Sequence, residues 1–211
     1  MRSYRQDCGV AHALDLLGDR WTLMILRNLC SGPWRFTDLL ASLSGIGRNL
    51  LSARLTELAE RGLVSHSDRG YQLAPAGQML RPLLRQLMAL GKVFGGQDHG
   101  APVPARVAMG VVFDPLAAAG QSLAVSVQVD EEQFALLVSS GVLTVVDGPC
   151  PVPADVTLEA SRAAFEAAGQ GVSRDDFRLR GSAAALHQFR ALFSLPVSEL
   201  EQIRERYGDK R

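Results

Sequence analysis

Cysteine is scarce in this chain of 211 residues: Cys8, Cys30 and Cys150 form an odd and scattered set. Such a set argues against a disulfide framework and against a thiolate zinc site. Long apolar runs are missing too. Ala108 to Phe113 is stopped by Asp114, and nothing approaches the roughly 18 residues that a membrane span needs. Asp7, Asp15 and Asp19 interrupt the stretch where a secretory leader would have its uncharged core, so no signal peptide is expected. His12, His66, His99 and His187 share no ligand spacing, so neither a metal site nor another cofactor is expected. Solenoid periods and low-complexity tracts are absent. What remains is 47% hydrophobic and 21% charged, the composition of a folded domain, and the expectation is a soluble, cytoplasmic protein with no membrane partner.

Net charge is also lacking, but the zero hides a polarity. Residues 1–96 carry 12 Arg and Lys against 7 Asp and Glu, while residues 97–211 carry 10 against 15. A basic half joined to an acidic half suggests that the first meets a polyanion. The division falls in a stretch without apolar period, residues 95–104, which holds three glycines and two prolines. The expected organisation is therefore a first domain over residues 1–94, a linker over 95–104 and a second domain over 105–211.

The first domain reads mostly as helices. Val10 to Leu17 is a short apolar helix, and Asp19 stands as an N-cap for a helix from Arg20 to Cys30. That second helix carries Trp21, Leu23, Met24, Ile25, Leu26 and Leu29 on nearly every side, which suggests burial against a partner chain as well as its own core. Arg35 to Leu43 forms the next helix. After the Ser44-Gly45 turn comes a longer one, about Gly47 to Arg61, with Leu51, Leu55 and Leu58 at the spacing of a buried stripe. Two helices across a short glycine-containing turn make a helix-turn-helix. Leu63 to His66 and Tyr71 to Leu73, joined by Ser67-Asp68-Arg69-Gly70, read as a hairpin directly behind it, which makes the arrangement a winged helix. A long helix from Ala76 to Phe94 follows, which Pro82 should kink or restart. Its wide apolar stripe, with Leu80, Leu84 and Leu87, is expected to join Trp21 in dimerisation; the plain alternative is packing on its own domain.

Four motifs, in order, carry a resemblance: Ala13-Leu14-Asp15-Leu16-Leu17-Gly18-Asp19-Arg20-Trp21-Thr22-Leu23; Arg35-Phe36-Thr37-Asp38-Leu39; Leu51-Ser52-Ala53-Arg54-Leu55 with Gly62-Leu63-Val64; and Tyr71-Gln72-Leu73 with Pro75-Ala76-Gly77. Over residues 8–94 the chain resembles the HxlR family of bacterial winged-helix transcriptional regulators. The resemblance implies a homodimer that binds double-stranded operator DNA and represses or activates nearby genes. The tip of the hairpin is short, which bears on how deeply a wing reaches the minor groove.

The reading face can be argued from the residues themselves. With the leucine stripe buried, the long helix turns Arg48, Asn49, Ser52, Ala53 and Thr56 outward. Arg forks onto guanine, Asn onto adenine, and Ser reaches a base or a phosphate. Arg35, at the start of the preceding helix, and Arg69, at the hairpin tip, are phosphate candidates. Arg54 leans toward the buried side, so a structural ion pair and a phosphate contact stay open. Cys8 stands where many members of the resembled family have a cysteine, in some of them an oxidant sensor; a passive thiol at a dimer interface is the alternative.

The second domain reads as an α+β meander. Expected elements are a helix from Pro104 to Ala119, strands over Ser122–Asp130, Glu132–Ser139, Val142–Val146, Val156–Leu158 and Asp176–Arg180, and helices over Ser161–Ala168 and Ser182–Phe193. The first hairpin, Ala154-Asp155-Val156-Thr157-Leu158, and Arg178-Leu179-Arg180-Gly181-Ser182 before the last helix resemble the sterol-carrier-protein-like lipid-binding fold. That resemblance implies an apolar cavity for a hydrophobic small-molecule effector, with Phe134, Leu136, Val138, Phe165, Phe177, Phe189 and Phe193 as lining candidates; ordinary core packing is the alternative for each. No nucleophile–base pair, carboxylate dyad or glycine-rich phosphate loop stands out, so catalysis is not expected. The whole chain is thus expected to be α+β: a winged helix-turn-helix domain followed by a sterol-carrier-like domain. Two other readings stay open, a thiol-based redox regulator acting through Cys8 and a lipid-binding carrier or accessory protein that uses the winged helix to dimerise.

Overall fold

The computed structural model describes residues 3–95, 103–169, 172, 174–195, 197 and 200–202. Most of the expected linker lies outside them. By packing, the chain divides between Leu80 and Arg81 into two compact units.

The first unit begins with α1 (Gly9–Leu17) and α2 (Thr22–Leu29), followed by α3 (Phe36–Ser42) and α4 (Arg48–Glu60). Leu51, Leu55 and Leu58 of α4 are sealed, as their spacing requires, together with Ile25, Leu26 and Leu29 of α2 and Leu39 of α3. The helix expected from Arg20 begins instead at Thr22, and Asp19 does not cap it with its side chain. Its carbonyl takes the Thr22 amide at 3.1 Å, while its carboxylate turns to Arg54, with Oδ2 2.5 Å from Nη1. Nor is α2 uniformly apolar inside: Thr22 and Asn28 are buried. Asn28 Nδ2 donates to Ser42 Oγ on α3, and its Oδ1 accepts two bonds from the Arg27 guanidinium. A buried amide satisfied in this way sets the relation of two helices more narrowly than apolar contact does.

The hairpin of β1 (Val64–Ser67) and β2 (Gly70–Leu73) pairs antiparallel from Val64 opposite Leu73 to Ser67 opposite Gly70. It is anchored by a third, one-residue strand. Trp34 and Tyr71 exchange both backbone hydrogen bonds at 2.8 Å, and the Trp34 indole N–H donates to Ser31 Oγ, which donates to the Asn28 carbonyl. Gly70 makes this approach feasible. Its φ is +114°, and a Cβ there would stand 2.2 Å from the Trp34 carbonyl oxygen. After the hairpin the expected long helix is two pieces, a single turn α5 (Pro75–Gln78) and then α6 (Arg81–Phe94). Pro82 lies in the first turn of the second piece, where a missing N–H costs nothing, so it restarts the helix.

The second unit starts with α6. Arg81 Nη1 donates to the Gly110 carbonyl at 2.8 Å and its guanidinium lies over the Phe113 ring. Arg85 donates to the carbonyls of Val112 and Ser194 and pairs with Asp114 at 3.1 Å, and Lys92 Nζ donates to the Gly169 carbonyl. These three cations share one face of the helix, flanked by the buried Leu84, Ala89 and Val93. Leu83, Leu87, Leu90 and Phe94 lie on the opposite face and are each 39–50% exposed. Of the residues expected in a dimer seam, Leu87 is therefore outward, Leu84 is already buried within the single chain, and Leu80 and Trp21 are half-buried.

Beyond α6 the unit runs α7 (Ala105–Val112), β3 (Ser122–Val129), β4 (Glu132–Ser139), β5 (Val142–Asp147), β6 (Val156–Ala160), α8 (Arg162–Ala168), β7 (Arg178–Gly181) and α9 (Ala183–Leu192). The first helix stops at Val112 rather than Ala119: Phe113 already leaves helical geometry at ψ 131°, and Pro115, two residues on, has no N–H with which to continue the helix. The sheet order is β5-β4-β3-β6-β7, with β3 and β6 parallel and the other neighbours antiparallel. Leu123, Val125, Val127 and Val129 do point one way and are buried, with Val125 beside Leu136 and Val156, and Val127 beside Phe134 and Leu158. The β4–β5 turn uses Ser140 at φ +48° and Gly141 at φ +84°, the pair of left-handed residues that a tight hairpin demands. Ser161 and Ser182 cap α8 and α9, each accepting an amide three residues on.

Gly70→Ala tests the anchoring of the hairpin. The substitution should destabilise the protein by more than about 1 kcal/mol in urea denaturation, because it combines a positive φ with a backbone clash; wild-type stability would show that the Trp34–Tyr71 pairing bears little strain.

Candidate nucleic-acid interface

Burying the leucine stripe of α4 leaves Arg48, Asn49, Ser52, Ala53 and Thr56 exposed on one face. Gly47 is the N-cap, so Arg48 and Asn49 occupy the first helical positions, from which side chains reach furthest beyond the helix end. Arg48 is not loose. Its guanidinium carbon lies 5.4 Å from the centre of the Phe36 ring, the first residue of α3. Arg35, the N-cap residue of α3, is exposed, as is Arg69 at the hairpin tip, whose amide donates to Ser67 Oγ. A groove of about 410 Å³ opens between the start of α3 and the hairpin, lined by Arg35, Phe36, His66, Ser67, Asp68, Gly70 and Tyr71. The His66 and Tyr71 rings lie 4.5 Å apart along it.

The structure brings Arg35, Arg48, Asn49, Ser52 and Arg69 to exposed positions on these elements, while Arg54 is taken by its own domain. Held by Asp19 and by Glu57 at 2.8 Å, Arg54 fills the ion-pair alternative. Reading the sequence missed Asp19 as its partner, since 35 residues separate them and no periodicity links the two. It also missed Phe36 as the platform for Arg48. The only available signal was an aromatic at the first position of a helix whose core needs were already met by Leu39 and Leu43.

Cys8 is exposed just ahead of α1. The amides of Ala11 and then Val10, in the first turn of the helix, hold its thiol below the usual range, against a small opposing effect of burial. Cys30 is buried and Cys150 partly so. In the second unit, Phe134, Leu136, Val138 and Phe189 belong to one buried cluster, with Phe165, Phe177 and Phe193 packed against it. All seven candidates therefore belong to or border the packed core of this unit, with the Phe189 and Phe193 rings stacked at 5.1 Å. Among the described residues no group of His, Cys, Asp and Glu is arranged to hold a metal ion, and no helix is long and apolar enough to cross a membrane.

A helix-turn-helix with a backbone-anchored hairpin and an arginine-led exposed helix face defines a class, the winged-helix transcriptional regulators. The family model described as HxlR-like helix-turn-helix matches residues 16–99. An uncharacterised HTH-type transcriptional regulator of Mycobacterium tuberculosis is 39% identical over 104 residues, covering 46% of this chain and 65% of that protein, so the match spans under two thirds of that relative's length. The HTH-type regulator YdzF of Bacillus subtilis is 31% identical over 93 residues, 40% of this chain and 85% of that protein. The crystal structure of quinone-bound YodB from B. subtilis matches at 29% identity over 40% of this chain and 97% of that one, with a TM-score of 0.38. The chain belongs to the HxlR-like helix-turn-helix family of transcriptional regulators.

Proposed function

We propose that the protein is a homodimeric regulator that reads a pseudo-palindromic operator with the start of α4 and the hairpin wing, and whose operator affinity is set by a hydrophobic small molecule in a sterol-carrier-like second unit. The observation that carries the reading is the exposed Arg48, Asn49 and Ser52 face, back to back with the buried leucines and flanked by Arg35 and Arg69. Base-edge contacts from the first turn of such a helix specify sequence, and flanking arginines fix the register on phosphates. The affinity for a duplex selected by the wild-type protein should fall steeply with salt, because each neutralised phosphate releases counterions. Arg48→Ala and Asn49→Ala should each weaken specific binding by about 1–3 kcal/mol per lost base contact. Wild-type operator affinity in both variants would place the reading face elsewhere.

The outward row Leu83, Leu87, Leu90 and Phe94 supports dimerisation, since steps of four, three and four make the seam that two helices bury together. An effector role for the second unit draws support from the same helix. Because Arg81, Arg85 and Lys92 tie α6 to the unit that holds the aromatic cluster, a ligand there acts on the dimer helix directly, without strain through residues 95–104. Leu87→Glu with Leu90→Glu should give a folded monomer in native mass spectrometry, where the wild type shows a dimer together with any apolar ligand it retains. A dimeric double variant would move the interface to α1, where Val10 and Leu14 are also exposed.

A second reading rests on Cys8, whose exposed thiol is biased toward thiolate by the first turn of α1. Here oxidation, rather than a ligand, changes operator affinity. Diamide treatment should then alter operator binding by the wild type and leave Cys8→Ser unaffected; equal responses from the two would remove Cys8 from regulation.

A further inference from the structure

We propose that Phe36 is a positioning residue for sequence readout, holding the Arg48 guanidinium ready for a base before DNA arrives; the inference rests on the reading of α4 as the recognition helix. Phe36 is half-buried, whereas Leu39 and Leu43 of the same helical segment are sealed, so its ring stands at the rim of the core. The rim it occupies is the wall of the groove that also holds Arg35, His66 and Tyr71. The guanidinium of Arg48 lies over the ring at 5.4 Å.

A free arginine side chain loses substantial rotamer freedom when it docks. Contact with the ring's negative face restrains it in advance and is sequence-neutral. A guanidinium in this position still has N–H groups along its edge, and that edge is what forks onto guanine O6 and N7. The ring covers a face of the ion while the donors stay available. Two helix starts thus act as one device: α3 supplies the platform and α4 supplies the reader.

The test uses full-length protein and a duplex selected from a randomised pool by the wild type. Phe36→Leu and the flexible, unbranched Phe36→Met should both lose roughly two- to five-fold in affinity, the size of an exposed cation–π contact, while Phe36→Tyr keeps the wild-type value. In the Arg48→Ala background neither change should have further effect. The loss should fall on discrimination at one guanine position, whereas a merely structural role would weaken every sequence alike. Additive effects of Phe36→Met and Arg48→Ala, or a uniform loss across all base positions, overturn the positioning role while leaving the α4 face as reader. Unchanged affinity in Arg48→Ala, or failure of the wild type to select any duplex, overturns the underlying reading and the proposal with it.

Discussion

Two backbone hydrogen bonds between Trp34 and Tyr71 decide how the reading head is assembled. They join the segment just before α3 to the returning strand of the hairpin, so the wing cannot swing independently of the helix whose N-terminus it faces. Gly70 admits the approach, and the buried chain from the Trp34 indole through Ser31 to the Asn28 carbonyl extends the tie into α2. Asn28 continues it to Ser42 at the other end of α3. A winged helix of this size has a small apolar core, which is non-directional. Its geometry is therefore fixed by a few directional bonds, and those bonds converge on α3, the helix that begins at Phe36 with Arg35 as its N-cap.

The same division of labour recurs in α6. Its apolar residues alone would pack in several rotations, since they occupy a wide arc. The three cations on one side select a single rotation by donating to specific carbonyls and to Asp114. Leu83, Leu87, Leu90 and Phe94 are exposed because the opposite face is committed. The exposed row is thus a consequence of how α6 packs within the second unit.

Much of this was legible in the sequence for a physical reason. The α4 stripe, the strands over Ser122–Asp130 and Glu132–Ser139 and the helices that begin near Ser161 and Ser182 follow from local rules, in which period, capping chemistry and φ preference act within a few residues. The start of α2, the break before α6 and the early end of α7 depended on where a proline or a carboxylate found its partner. Pro115 could have been read as ending α7, and Pro82 was read as a kink or a restart. Asp19 could not, because a good N-cap residue and a good ion-pair partner look alike until Arg54 is beside it. Trp21, Leu84 and Leu87 share an apolar character, but only the full turn of each helix shows which side its own domain has already used.

Charge supplies the last step. The first 96 residues hold a surplus of five positive charges, a thin footprint for a polyanion. Part of it is committed internally: Arg54 is held by two carboxylates, and Arg81 and Arg85 are directed at carbonyls of the second unit. The outward cations around α4 and the wing are then few, Arg35, Arg48 and Arg69 foremost. With each phosphate contact carrying only a share of the counterion release, one such face offers a duplex few charge contacts. Two faces at a fixed separation add their contacts on one duplex, and their spacing must match the helical repeat of the DNA. On the proposed dimer, scarcity of charge on a single copy therefore makes the separation of the two reading faces the quantity on which operator binding would turn.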